Sequence, residues 1–543
     1  MGALGTIALD LYESLQARRN PKVREIREAR HSAQLEAAKQ TRYGDDANSG
    51  PGSADDEYEW TGDREEIRDR AHAAYRDIPF AKAIVDTNVD QVVGTGLVPQ
   101  VIVNHEKRRI TANQAEELQE FLEDLFVNWA KRSDVTGRQS FAEQTRTIAA
   151  NRMIAGDILS MPVTPRRLTR KNEIETRCEL IESHRLASPY GPIQKPDTVG
   201  GVVLGPKGEP RSYWISNGHP GGLLSTSPEH FKEIPALDRL GRPRILHHYV
   251  VKRPGQTRGL SEFHAVLPTL QHHAKYLQAE VIAARMAACI GLLFLTPVDP
   301  SGKGDSSNRT IKNLLKMRPG MAPKLPPGTD VKEFSPNRMT ASSTVPFAEL
   351  LQTEAATGVG TSYGTIAKDF RRDNFSNTKA AIQMDRAGFR CQQLWVGQNV
   401  CQPYFEVIGF EALLKGMFPE FVPVTNYRQF VSEWCDVEWM PTPGWDWIDS
   451  LKDAQTAEKD MEMTVRSATD ICRTKGTSYE AVLRKQLKEE KLEMELREEM
   501  GLPSMAAVVA EGDPADPDPN DDNPDDNEDS DKRKDESEDN DDA

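Results

Sequence analysis

Three things are scarce in this 543-residue chain: cysteines in pairs, long apolar runs, and histidines beyond His273. Each shortage closes a class of function. Cys178, Cys289, Cys391, Cys401, Cys435 and Cys472 lie far apart with no Cys-x-x-Cys pair. That spacing excludes a zinc ribbon or a disulfide scaffold and fits reduced thiols in a protein assembled inside a cell. The most apolar run, Met286 to Val298, is preceded by Arg285 and falls short of the ~20 residues that span a bilayer, so no membrane association is expected. The opening MGALGTIALDLYESL lacks a basic leader and a long apolar core, which argues against secretion. A hydrophobic fraction of 38% and a mean hydropathy of −0.60 are modest. They fit a protein with poorly structured ends and surfaces that meet other subunits. The length exceeds one ordinary core, so several domains or a multipart protomer are expected.

Catalytic motifs are also missing. Gly360-Thr361-Ser362-Tyr363-Gly364 fits the Gly-x-Ser-x-Gly pattern of a hydrolase nucleophile elbow, but it follows a helical stretch where the elbow needs a strand. A hydrolase of that fold places its histidine after the serine, and all eleven histidines lie at or before His273. Ser362 is therefore read as a turn or helix-cap residue. Gly302-Lys303 is followed by Gly304 and has Pro297 where a phosphate loop needs its first glycine. His247-His248 and His272-His273 are adjacent pairs whose side chains diverge on a strand or helix, and neither sits in a His-Glu-x-x-His frame. They read as strand and helix-surface residues. Among 84 acidic residues nothing marks a general acid and base. No catalytic, cofactor-binding or metal-ligating residue, and no enzymatic activity, is expected.

Charge is unevenly spread. From Glu511 onward there are 17 acidic and 3 basic residues, so the tail carries −14 of the net −16 and the remaining body about −2. The tail, rich in Asp, Glu, Asn, Pro and Ser, cannot offset its ordering entropy and is expected to be disordered. It reads as a solubilising segment, or alternatively as a surface that repels DNA or attracts a basic partner. Arg18 to Arg42 carries 8 basic residues against Glu25, Glu28 and Glu36, and reads as a solvated helix or an arm touching DNA or a neighbouring subunit. Residues 43–57, YGDDANSGPGSADDE, form a linker to the body.

Within the body, Ala74, Ile78, Ala81, Ile84, Val85, Val89 and Val92 recur at helical spacing. Asp77 before Pro79 begins a new turn, and Gly94 and Gly96 end the helix. Asn113 to Arg132 reads as a helix, and Leu159–Val163, Gly201–Leu204, Tyr213–Ile215 and Leu246–Val251 as strands, which makes residues 58–260 an α+β body. Val266, Leu270, Leu277, Val281 and Ile282 keep helical spacing from Ser261 to Ala288, with Gly291 closing the run. A loop-rich stretch from Thr296 to Thr344 follows. Helices return at Ser376–Lys415, with Pro403 as a break, at Asp449–Arg473 and at Tyr479–Met500. No internal repeat is apparent.

Seven motifs in order resemble the lambda-type portal proteins of tailed bacteriophages. They are Arg76-Asp77-Ile78-Pro79 with Asp86, Asp90 and Val92 to Leu97; Trp129 to Gly137; Gly156-Asp157; Glu179 to Pro189; Lys252 to Leu260, KRPGQTRGL; Thr361-Ser362-Tyr363 with Asp369-Phe370 and Asn374-Phe375-Ser376; and Trp445 to Ala454, WDWIDSLKDA. Together they span about residues 60 to 485. The resemblance implies a portal fold that assembles as a ring, commonly of twelve copies, at one head vertex in the virion, after assembly in the host cytoplasm. It implies an N-terminal arm and linker at 1–57, a wing at 58–260, a first stem helix at 261–290 and a clip with adjoining loops at 291–375. A second stem helix, tunnel loop and return to the wing follow at 376–450, with a helical crown at 451–505 and the acidic tail at 506–543.

Implied partners are further copies of the chain, double-stranded DNA passing through the channel, terminase, the major capsid protein and head-completion or adaptor proteins. A near-neutral body suits such a channel, because a strongly basic wall would hold a sliding duplex by counterion release. Lys303, Lys312, Lys316 and Lys324 are candidate terminase or DNA contacts near the clip, with ordinary solvated charge as the other reading. A different class also fits part of the chain: a monomeric binding module whose acidic tail holds basic proteins. It explains residues 511–543 but not the ordered motifs of the body.

Overall fold

The computed structural model describes residues 63–500 apart from 165–172, 190–196, 219–229, 290–292, 296–329, 333–340, 372–373, 420, 423–425, 443–444, 446–449 and 478. The arm, linker and tail lie outside the described residues, as does Gly291.

The body opens on helices α1 (Asp63–Asp77) and α2 (Pro79–Val92). Pro79 lacks the N–H that would continue α1, yet its fixed φ suits the first turn of α2. The capping residue is extended Ile78, not Asp77, which ends α1 with its carboxylate on Arg76 at 2.7 Å. All seven apolar positions of the predicted stripe are buried. Gly94 (φ 55°) and Gly96 (φ 128°) then turn the chain into β1 (Gly96–Val101). β1 pairs antiparallel with the final strand, β11 (Val437–Thr442), with Val101 opposite Val437.

Helices α3 (Ala112–Ala130) and α4 (Phe141–Ala155) both begin with reciprocal caps, Thr111 with Gln114 and Ser140 with Glu143. Their inner faces build an aromatic centre in which the Trp129, Phe141 and Tyr404 rings lie 4.9–5.7 Å apart. Against α4 lies a three-stranded sheet in the order β3 (Arg177–Glu182), β2 (Asp157–Val163), β8 (Leu246–Tyr249). A second sheet runs β4 (Thr198–Val199), β5 (Val202–Leu204), β6 (Pro210–Ser216), β7 (Phe231–Pro235). It closes a satellite core of Val202, Tyr213, Ile215 and Ile234 on Leu159 and Ile181. All pairings in these sheets are antiparallel, so the body is α+β.

The stretch from Ser261 starts with a short 3-10 turn capped by the Ser261 side chain and continues as α5 (Leu267–Cys289). It packs beside α6 (Ala341–Val359), where Tyr276 and Phe347 meet edge to face at 4.9 Å. Between them in sequence, β9 (Leu293–Leu295) and β10 (Asp330–Lys332) form an antiparallel pair.

After α7 (Tyr363–Ala367) comes α8 (Phe375–Val396), a π-helical segment at Gly397–Cys401, then α9 (Gln402–Leu414). The expected break at Pro403 is thus a π segment, with the helix continuing and Pro403 in the first turn of α9. α9 is almost wholly buried: Tyr404, Phe405, Val407, Ile408 and Phe410 each remove a large side chain from water, at about 1.5–3 kcal/mol apiece. α10 (Tyr427–Trp434) leads to β11. The single helix expected over Asp449–Arg473 is two, α11 (Ser450–Glu462) and α12 (Ala468–Thr474), parted at Thr464, whose φ is 59°. α13 (Tyr479–Glu499) ends the described chain.

Candidate functional site

The motif pieces separated in sequence meet in space. Gly156 and Gly259 press their backbones together: a Cβ on Gly156 would sit 2.5 Å from the Leu260 carbonyl carbon, and one on Gly259 would sit 2.0 Å from the Gly156 oxygen. Gly156 also holds φ 91°, a conformation that side chains resist. This contact brings Arg258 of the KRPGQTRGL loop onto Asp157 at the start of β2. Arg258 Nε donates to Asp157 Oδ2 at 2.5 Å and Nη2 to Oδ1 at 3.2 Å. Asp157 also accepts from the Gly259 N–H at 3.3 Å, bonds His247 Nε2 at 3.0 Å and receives the Ser183 hydroxyl.

Arg258 reaches across to the second sheet through the carbonyls of Leu186, at 2.9 Å, and Gly200. Gln256 holds the loop shape, accepting from the N–H groups of Lys252 (2.8 Å) and Arg253 (3.3 Å) while donating to the Arg258 carbonyl (2.7 Å). Asp157 is 0% and Arg258 1% exposed. Burial pushes the Asp157 pKa up, but Arg258 and His247 outweigh it and hold the carboxyl well below its usual range. Burial likewise wins over Asp157 at His247 and lowers its pKa. The Ser183 hydroxyl bonds the aspartate, not the imidazole, so the cluster is a clamp between two sheets and not a nucleophile with its base.

A second junction surrounds the Gly-x-Ser-x-Gly match. Ser362 caps α7, accepting from the Thr365 N–H, as the sequence predicts. Its hydroxyl donates to Asp385 Oδ2 at 2.6 Å, Thr365 Oγ1 donates to the same oxygen at 2.6 Å, and the Ser362 N–H reaches Asp385 Oδ1 at 3.0 Å. The serine is thus tied to a carboxylate on α8, and the preceding element is helix α6, not a strand. Thr361 reaches Asn88 of α2 at 3.3 Å. A third junction joins α8 to the WDWIDSLKDA stretch: Lys379 pairs with Asp453 at 2.9 Å, and Arg386 and Arg390 lie over the Trp445 ring, each at 5.4 Å.

The histidine pairs diverge as expected of β8, His247 to Asp157 and His248 to Ser160 at 2.7 Å. On α5, His272 is exposed but His273 is 5% exposed and lies against the Phe80 ring at 6.3 Å, which corrects its reading as a surface residue. α5 crosses other helices there, so both sides of the pair cannot face water. Among the described residues no group of side chains could hold a metal, and no helix is long and apolar enough to cross a membrane. Cys178, Cys391, Cys401, Cys435 and Cys472 are free thiols. An open cleft of about 520 Å³ between α3 and the start of β3 is lined by Trp129, Phe121, Met417 and the charged Lys131, Arg132 and Arg177, with no serine, threonine, cysteine or histidine in its lining. Lys303, Lys312, Lys316 and Lys324 lie outside the described residues, so the structure brings none of them together.

The feature that sequence reading missed is apolar surface. Along α5, Leu277, Val281 and Ile282 are 40–49% exposed, and on α6 Val345, Phe347 and Leu350 are 40–61% exposed. The signal was the regular α5 stripe itself, whose first members Val266 and Leu270 are buried while the later ones leave the body.

Comparison with known proteins agrees with the motifs. Residues 41–393 match the family model described as phage portal protein, lambda family. The chain is 27% identical over 451 residues to a probable portal protein of Halomonas phage phiHAP-1, covering 81% of this chain and 82% of the relative. It is 22% identical to portal protein B of Escherichia phage lambda, covering 77% and 82%. Among solved structures, the neck of a native gene transfer agent particle matches at 13% identity with a TM-score of 0.43, covering 76% of this chain and 93% of that one. An HK97-family phage portal protein from Corynebacterium diphtheriae matches at 10% identity with a TM-score of 0.30, covering 56% and 81%.

Proposed function

The chain belongs to the lambda family of phage portal proteins, and from that premise we propose that it forms a closed ring of about twelve copies at one vertex of the head, through whose channel DNA is packaged and ejected. The observation that carries this reading is the uncovered apolar face of α5 and α6. Leu277, Val281, Ile282, Val345, Phe347 and Leu350 lie on two helices that pack together and are 40–61% exposed among the described residues, and a cyclic assembly covers such side chains with the neighbouring copy. In this reading residues 58–260 are the wing, α5 the first stem helix, the β9–β10 region the clip, α8 the second stem helix, and α11 to α13 the crown. Docking partners are terminase during packaging and head-completion or adaptor proteins afterwards, with the major capsid protein around the ring, in a virion assembled in the host cytoplasm.

The protein does no chemistry in this scheme. The Asp157–Arg258 and Ser362–Asp385 junctions brace its parts, and the energy for DNA movement comes from a separate terminase ATPase. Lys303, Lys312, Lys316 and Lys324 contact terminase or DNA near the clip; unchanged packaging after their replacement by alanine would remove that assignment. Particle imaging with mass measurement tests the whole. Rings with a central hole and about a dozen subunits support it, and a stable monomer across salt and concentration would overturn it in favour of a binding module with an acidic tail.

A further inference from the structure

Among the described residues, helices α5 and α8 are not packed side by side. A side chain on a third helix nevertheless touches both the turn that opens α5 and the inner face of α8. Arg152 of α4 is 6% exposed. Its Nη2 donates to Gln392 Oε1 of α8 at 3.0 Å and forms an ion pair at 3.3 Å with Glu262 Oε1, in the 3-10 turn Glu262–Ala265. The guanidinium also lies over the Trp395 ring of α8, at 5.1 Å.

We propose that Arg152 couples the two helices: it is the positioning residue through which a displacement at the start of α5 is passed to α8, and the reverse. The shape of the guanidinium supplies the reason. Its three nitrogens are fixed in one plane, so the donor directions and the face that stacks on a ring cannot be adjusted independently. One nitrogen serves both the Gln392 amide oxygen and the Glu262 carboxylate. A tilt of the plane that follows a moving carboxylate therefore turns the donor away from Gln392 and lifts the face from Trp395. Arg152 Nε is buried and has no hydrogen-bond partner among the described residues, so the group is held through Nη2 and its stacked face.

Each end of the link has a firm support. The Ser261 hydroxyl donates to the Met153 carbonyl of α4 at 3.3 Å, and Phe263 in the turn is fully buried. α8 buries Phe389 and Val396 and ties Gln393 Nε2 to the Gln91 carbonyl of α2 at 3.0 Å. A shift at either end is thus met by packed groups and not absorbed by a loose side chain. In the ring proposed above α5 leads to the clip, so docking there would reach α8 of the same subunit by this route; that consequence rests on the portal reading.

The test is a mutant cycle read by amide hydrogen exchange on the full chain. Glu262→Gln keeps the shape of its side chain but removes the charge, and should speed exchange across Phe389–Val396 of α8 by about fivefold. Gln392→Ala should speed exchange across Glu262–Leu267 by about threefold. Arg152→Lys keeps the positive charge but has neither plane nor fork, and in that background both remote effects should fall below about 1.5-fold. If Arg152 merely pinned each helix to α4, E262Q would change exchange only around its own turn, and that result overturns the proposal. Remote effects that persist in R152K overturn it equally. Should R152K fail to fold, the double variant E262Q/Q392A decides: coupling requires a melting-temperature shift smaller than the sum of the single shifts, and additive shifts sink it. These readouts belong to the subunit and hold whether or not rings form, whereas particle imaging of the unaltered protein tests the ring itself.

Discussion

The clamp at Asp157–Arg258 and the outer face of α5–α6 are opposite solutions to the placement of costly groups. At the clamp, two charges taken out of water are given partners from both sheets, so the region is complete within one chain. On α5 and α6, apolar side chains are left 40–61% exposed among the described residues. The first region specifies a subunit, and the second, in the ring proposed above, is the part a neighbour would cover. Substitutions should therefore act on different observables: subunit stability at the clamp, assembly at the helices.

The largest effect on the subunit is expected from Arg258→Ala, which strands a buried carboxylate at a cost of about 3–5 kcal/mol. Thermal or denaturant unfolding of the variant checks it, and a shift below 1 kcal/mol would mean that the clamp is not a structural centre. Next comes acid. Burial lowers the pKa of His184 to about 4 and that of His248 to about 3, against the ordinary ~6.5. The unfolded chain then binds more protons than the native one. Stability should be full above pH ~6.5, fall as pH drops towards 4, and be lost through the folded values. His184→Asn should remove about 1–3 kcal/mol of that fall, read from melting temperature against pH. Ser362→Ala should cost about 1 kcal/mol through the lost cap and leave packaging of DNA unaltered. The smallest subunit effect, within about 0.5 kcal/mol, is expected from Leu277→Lys with Ile282→Glu, yet rings should give way to smaller species in mass measurements. If those substitutions unfolded the subunit instead, the contrast between the two regions would fail.

Much of the local structure was legible because it rests on short-range rules. The new helix at Pro79, though capped by Ile78 and not by the Asp77 expected, the Gly94–Gly96 turn, the Ser362 cap and the divergence of His247 from His248 follow from proline geometry, glycine φ, capping and strand alternation. What was not legible depends on partners far along the chain. The pairing of β1 with β11 leaves no mark in either strand, and Pro403 reads as a break although the chain passes it as a π segment running into α9. The turn at Thr464 adopts a left-handed φ with no glycine to announce it. The clamp was half visible: Gly156-Asp157 and the KRPGQTRGL loop stood out as motifs, but only the fold shows that each needs the other.

The β1–β11 pairing also sets a clock. Val101 meets Val437, 336 residues later (437 − 101), and at 5–20 residues per second a ribosome needs roughly 20–70 seconds to deliver the second strand after the first. Throughout that interval a nascent chain carries an open strand edge and an unfinished core, so the subunit can reach its finished fold only near the end of its own synthesis.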